Sequence, residues 1–146
     1  MPTPTTPLWR HLLVPVDFSD CSLEALRLGV QMLVTGSTEK LTLLVAVERS
    51  YSGLRIQTDD LHAAMRGEAE RHLKEWKERE AGDLEKVEAR VVEGPPGHAI
   101  CEAAREGGVD LIVIGSHGRT GLPRMLLGST AEKVVRHAPC AVLVKR

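Results

Sequence analysis

A doubly wound α/β domain, with a five-stranded parallel sheet and helices on both of its faces, is the fold class this sequence predicts. Short runs that are apolar almost throughout alternate with longer segments of helical periodicity, in the order β-α-β-α-β-α-β-α-β. The runs themselves, such as 11–16 (His-Leu-Leu-Val-Pro-Val) and 41–47 (Leu-Thr-Leu-Leu-Val-Ala-Val), lack the in-out alternation of a sheet wetted on one side. Both faces must therefore be covered, as they are in parallel sheets. No repeat or linker divides the 146 residues, so they read as one domain, 11–146, behind a disordered Thr/Pro-rich lead-in, 1–10.

The first strand, 11–16, ends at Asp17. Ser19 and Asp20 offer N-caps, and Leu23, Leu26, Val30 and Leu33 recur at helical spacing until Gly36 stops the helix. The second strand is 41–47, and the polar segment 48–58 reads as a loop around Gly53. A long charged helix starts at Asp59 or Asp60, with Leu61, Met65, Ala69, Leu73 and Trp76 on its apolar stripe, and Gly82 ends it. Val87, Ala89 and Val91 alternate as a third strand. Gly94-Pro95-Pro96-Gly97 makes a rigid break before a short helix, 98–106, closed by Gly107-Gly108. Strand four is 109–114, the last helix is 129–137, and strand five is 140–144.

Composition excludes several functions. A formal net charge of -1 leaves no basic footprint for nucleic acid, and one Phe, one Tyr and two Trp supply few stacking platforms. No apolar run is long enough for a membrane helix, and the start has no basic-then-apolar leader pattern. Three cysteines, Cys21, Cys101 and Cys140, form no framework and suit a reducing cytoplasm. Two His-x-x-Cys pairs, His98/Cys101 and His137/Cys140, read as buried thiols with surface imidazoles, because metal motifs bring close-set ligand pairs in matching loops.

Chemistry concentrates in Gly115-Ser-His-Gly118-Arg119-Thr-Gly-Leu-Pro-Arg124-Met-Leu-Leu-Gly128-Ser129-Thr130. An apolar strand delivers the chain to Gly115, and the segment after Gly128 is helical. Glycines let backbone N–H groups approach an anion, and a helix start adds unpaired donors and a positive dipole end. The same residues also fit a long turn closed by a capping box, Ser129-x-x-Glu132. In a doubly wound sheet, ligands sit beyond the carboxyl ends of the strands at the switch point. If strands one and four are neighbours there, Asp17 and the glycine loop share one crevice. Pro15, which forgoes a ladder hydrogen bond, marks a break that opens it.

Pro15-Val16-Asp17-Phe18-Ser19, the strand 43–47 and above all Gly115-x2-Gly118-x9-Gly128-Ser129-Thr130 resemble the universal stress protein family, from about residue 11 to residue 146. The resemblance implies sheet order 3-2-1-4-5 and, because the glycine pattern is intact, the ATP-binding type. It implies that Asp17 holds the adenosine end and that the Ala46 backbone meets the adenine, with Val16 and Ile114 lining the same slot. Gly115, Gly118 and Gly128 would give room to ribose and phosphates, Ser129 and Thr130 would hold phosphate oxygens, and Arg119 or Arg124 would add positive charge. Mg²⁺ would be held by the phosphates, not by protein side chains. A carboxylate repels a nearby phosphate, which independently favours the nucleoside end for Asp17. A regulatory stress-response module leads this reading. The alternatives are a slow ATPase, for which His117 is the base at hand, and an interaction protein with a vestigial loop. The last strand, apolar on both faces and at the edge in the implied order, is expected to join two copies into a homodimer.

Overall fold

The computed structural model describes residues 6–49, 51–52, 55–56, 59–118 and 126–146. Chain order is β1 (Trp9–Pro15), α1 (Asp20–Val34), β2 (Thr38–Val47), β3 (Tyr51–Ser52), β4 (Arg55–Ile56), α2 (Asp59–Ala81), β5 (Val87–Glu93), α3 (Pro96–Glu106), β6 (Leu111–Gly115), α4 (Ser129–His137) and β7 (Ala141–Lys145). Five strands form one parallel sheet in the order β5-β2-β1-β6-β7. Counting those five alone, the order is 3-2-1-4-5.

Alternate residues of the buried strands feed two cores. Leu12, Val14, Leu41, Leu43 and Val113 pack with Ala25 and Leu26 of α1 and with Ala69 and Leu73 of α2. On the other face Leu13, Leu44, Ile112 and Ile114 pack with Ile100 and Ala104 of α3 and with Ala131 and Val134 of α4. Leu44 on interior strand β2 is wholly buried, and Leu44→Ala is expected to destabilise the domain by about 2–5 kcal/mol. Urea unfolding would show it as a lower midpoint at unchanged slope.

Several boundaries differ from the sequence reading. Strand β1 starts at Trp9, so residues 9 and 10 leave the lead-in. The Asp110 carboxylate holds them there, accepting from Arg10 N–H at 2.8 Å and His11 N–H at 2.9 Å, while Trp9 packs on the first core. Segment 48–58 is not all loop, since β3 and β4 pair antiparallel within it. Strands of two residues are too short to leave a period-two signature. At the start of α2, Leu61 and Met65 stay largely exposed and His62 is buried instead. The face that meets the sheet runs through His62, Ala69 and Leu73, one position off the expected stripe at its N-terminal end.

Candidate functional site

Strand β1 pairs with β2 on one side and with β6 on the other, and the chain winds outward from it in both directions. The switch point therefore lies between β1 and β6. Their pairing is short, covering only Leu12↔Leu111 and Leu13↔Ile112, whereas β1 stays paired with β2 to Pro15↔Leu44. The cause is in the sequence. His11 C=O accepts from Asp110 N–H and Val16 N–H donates to Leu44 C=O, so from His11 onward the odd-numbered residues of β1 direct their backbone groups toward β6. Pro15 is odd-numbered and has no N–H to give. The ladder stops there and the strands part.

A cavity of ≈ 240 Å³ opens at that parting. Pro15, Val16 and Asp17 line it from the end of β1, Ala46 from β2, and Ile114 and Gly115 from β6. Gly118, Gly128, Ser129 and Thr130 complete the lining. Of the residues singled out from sequence, all of these meet in one crevice. Arg119 and Arg124 lie outside the described residues. Sequence reasoning missed Ser22 and the α3 wall, Pro96 and Ile100. The signal for α3 was present, since the Pro-Pro-Gly break starts that helix at the carboxyl end of β5, on the ligand side of the sheet.

The lining is chemically mixed. Val16, Ala46, Ile100 and Ile114 supply apolar surface and Asp17 supplies a carboxylate. Asp17 is oriented by its own loop. Oδ1 accepts from the Ser19 N–H at 3.0 Å and from the Ser19 hydroxyl, and the Asp17 N–H donates to Ser22 Oγ at 3.3 Å. The start of α4 also lines it. Its N-cap is Gly128, with φ −62° and ψ 156°, and no side chain among the described residues caps it. The expected capping box is thus absent. Ser129 is already the first helical residue, and Glu132 turns away to accept from Arg136 at 2.9 Å. Helix-start N–H groups have no partners within a helix, and among the described residues no capping side chain competes for them.

The three glycines each let protein atoms approach closely. A Cβ on Gly115 would lie 2.9–3.0 Å from backbone and sulfur atoms of Cys21, so this glycine lets α1 settle on the end of β6. A Cβ on Gly128 would lie 3.3 Å from Ser116 O and 3.5 Å from Gly118 N. Its N–H donates to that Ser116 oxygen at 2.7 Å, clamping the two ends of the loop. A Cβ on Gly118 would lie 2.8 Å from Asp17 Oδ2. Close approach is the shared requirement, but the near neighbour is protein in each case.

His117 Nδ1 is engaged with the Ser116 hydroxyl at 2.8 Å, and Ser116 itself is buried. The two His-x-x-Cys pairs place His98 and His137 at the surface, with Cys101 buried and Cys140 half-buried. Burial pushes both thiols above the usual cysteine range. Among the described residues, no three His, Cys, Asp or Glu side chains gather as a metal site, and no helix is long and apolar enough to cross a membrane.

Sheet order and crevice together define a doubly wound α/β domain with a crevice at its switch point. The universal stress protein family model matches residues 8–146, and the chain belongs to that family. It is similar to the universal stress protein MJ0531 of Methanocaldococcus jannaschii, 33% identical with 94% of this chain and 82% of that protein covered. Among solved structures it is similar to the universal stress protein UspA of Lactobacillus plantarum, with TM-score 0.81, 30% identity, and 94% and 97% of the two chains covered. A universal stress protein in complex with cAMP gives TM-score 0.71 at 28% identity, with 94% and 97% covered.

Proposed function

We propose that this chain is a regulatory, stress-response module of the cytoplasm that holds ATP, with Mg²⁺ carried on the phosphates, and that it works as a homodimer. One observation carries the nucleotide reading. Apolar side chains, a single carboxylate and a helix N-terminus that no described side chain caps line one crevice at the switch point. The apolar surface fits a flat base, with Asp17 accepting from a ribose hydroxyl or a base amine. The α4 N-terminus, with the Ser129 and Thr130 hydroxyls, fits an anion. Asp17 is the one carboxylate among the described lining residues, and since this reading gives it to the nucleoside, the divalent ion falls to the phosphates. The intact Gly115-x2-Gly118-x9-Gly128-Ser129 pattern supports ATP as the nucleotide, and the cAMP complex of a related fold supports an adenine base.

Calorimetric titration with ATP and Mg²⁺, then separately with adenosine and inorganic triphosphate, tests this reading. Absence of ATP binding would overturn it. Asp17→Ala is expected to weaken ATP and adenosine alike, by about tenfold or more for a lost hydrogen bond to a charged group. Triphosphate affinity should stay unchanged. An equal loss for triphosphate would place Asp17 at the wrong end of the crevice.

A further inference from the structure

The residue after Asp17 carries a backbone conformation that its side chain disfavours. Phe18 has φ 64°, in the left-handed region, and is the one non-glycine residue with positive φ among those described. A residue with a Cβ resists that region, a bulky one most of all. Phe18 is held there from the far side. Its ring meets Trp76 edge-on at 5.2 Å and 88°, and His72 at 5.3 Å and 77°, both on α2. The loop therefore has two faces. Asp17 lines the crevice, with Oδ2 2.8 Å from where a Cβ on Gly118 would stand, while Phe18 packs against the first core.

The left-handed turn is what allows both at once. With Phe18 right-handed or extended, the peptides on its two sides rotate relative to each other. Either the Ser19 N–H then leaves Asp17 Oδ1, or the ring leaves α2. We propose that Phe18 is a positioning residue for nucleoside recognition, its left-handed conformation, clamped by Trp76 and His72 of α2, aiming the Asp17 carboxylate into the crevice. The proposal rests on the reading that the Asp17 end of the crevice takes a nucleoside. It goes further in making nucleoside affinity depend on a helix that contributes no residue to the crevice lining described above.

Three substitutions separate this role from ordinary packing, because all remove the ring but differ in tolerance of positive φ. Alanine resists the left-handed region, asparagine tolerates it, and glycine enters it freely. Without the clamp, Phe18→Ala leaves the aimed conformer a minor one, and apparent affinity falls in proportion to its population. Adenosine titrations are expected to show a loss of about tenfold for Phe18→Ala and of less than about threefold for Phe18→Gly, with Phe18→Asn between. Inorganic triphosphate, which does not use Asp17, should bind all four proteins equally, and circular dichroism should show each variant folded. Wild-type affinity for adenosine in Phe18→Ala overturns the positioning role, as does an equal loss in the alanine and glycine variants. A parallel loss of triphosphate affinity overturns it too, since the damage then extends beyond Asp17. If the unaltered protein binds triphosphate but no adenosine, the nucleoside reading falls and takes this proposal with it.

Discussion

Gly118→Val is expected to remove measurable ATP binding while leaving the fold intact. Even the first carbon of a side chain there would stand 2.8 Å from Asp17 Oδ2. A carboxylate at the tip of a free side chain would swing aside at little cost. Asp17 is not free in that sense, because its other oxygen is held by the Ser19 N–H and hydroxyl. The two branches of valine would therefore break the Asp17 turn or fill the crevice, and each outcome damages the nucleoside end. Overpacking of this kind typically costs about 1–3 kcal/mol, and if binding must restore the displaced Asp17 turn, that is about five- to 150-fold in affinity before the lost contact is added. Gly118 is not among the glycines with positive φ, so valine adds no backbone strain and the fold should persist, with the melting temperature lowered by about 2–10 °C for the clash with Asp17. Gly128→Val, which presses on Ser116 and Gly118, is a second probe of the same loop. ATP affinity equal to wild type in a folded Gly118→Val protein would remove the loop from the site.

How legible each feature was in the sequence follows from how local its cause is. Strands β1, β2 and β6 are buried on both faces, so each announces itself as a continuous apolar run. Gly36 and Gly82, both left-handed, end α1 and α2 where the sequence places the stops. The crevice was legible as a set of residues because Asp17 and Gly115 follow strand ends directly, and strand ends are where this architecture binds. Sheet order was not legible from periodicity, because no residue of β1 records which strand lies beside it; it came from the family resemblance. The reasons for the glycines were likewise hidden. Gly115 is required by Cys21, 94 positions earlier, and Gly118 by Asp17, so neither contact exists until the sheet has formed. The capping box failed for a similar reason. Ser129-x-x-Glu132 satisfies the local rule, but Ser116 takes the Gly128 N–H and moves the cap back one residue. Phe18 gave no sign at all, since nothing in Asp-Phe-Ser demands positive φ; Trp76 and His72 impose it from another helix.

Val142→Pro is expected to convert a homodimer into monomers. The sheet has two edges, and they are treated differently. On β5, Lys86 C=O and Gly94 N–H bond to β2, so the Val91 carbonyl points outward, where the Arg66 guanidinium donates to it at 3.4 Å. Long charged side chains at an edge discourage pairing with another chain. On β7, Lys145 C=O accepts from Ser116 N–H, so odd-numbered residues serve β6, and the N–H and C=O of Val142 and Val144 face away from the sheet. Apolar side chains accompany them, with Leu143 41% exposed on β7 and Val135 48% exposed on α4. A second copy that lays its own β7 antiparallel along this edge would pair those groups and cover that surface. Such a contact is self-complementary, so it closes after one partner and does not propagate. Proline at 142 removes an outward donor and none of the β6 ladder, which separates loss of dimer from loss of fold. Sedimentation at micromolar concentration should show a dimer for the unaltered protein and a folded monomer for the variant. A monomeric unaltered protein, or a variant that remains dimeric, would rule out this edge as the interface.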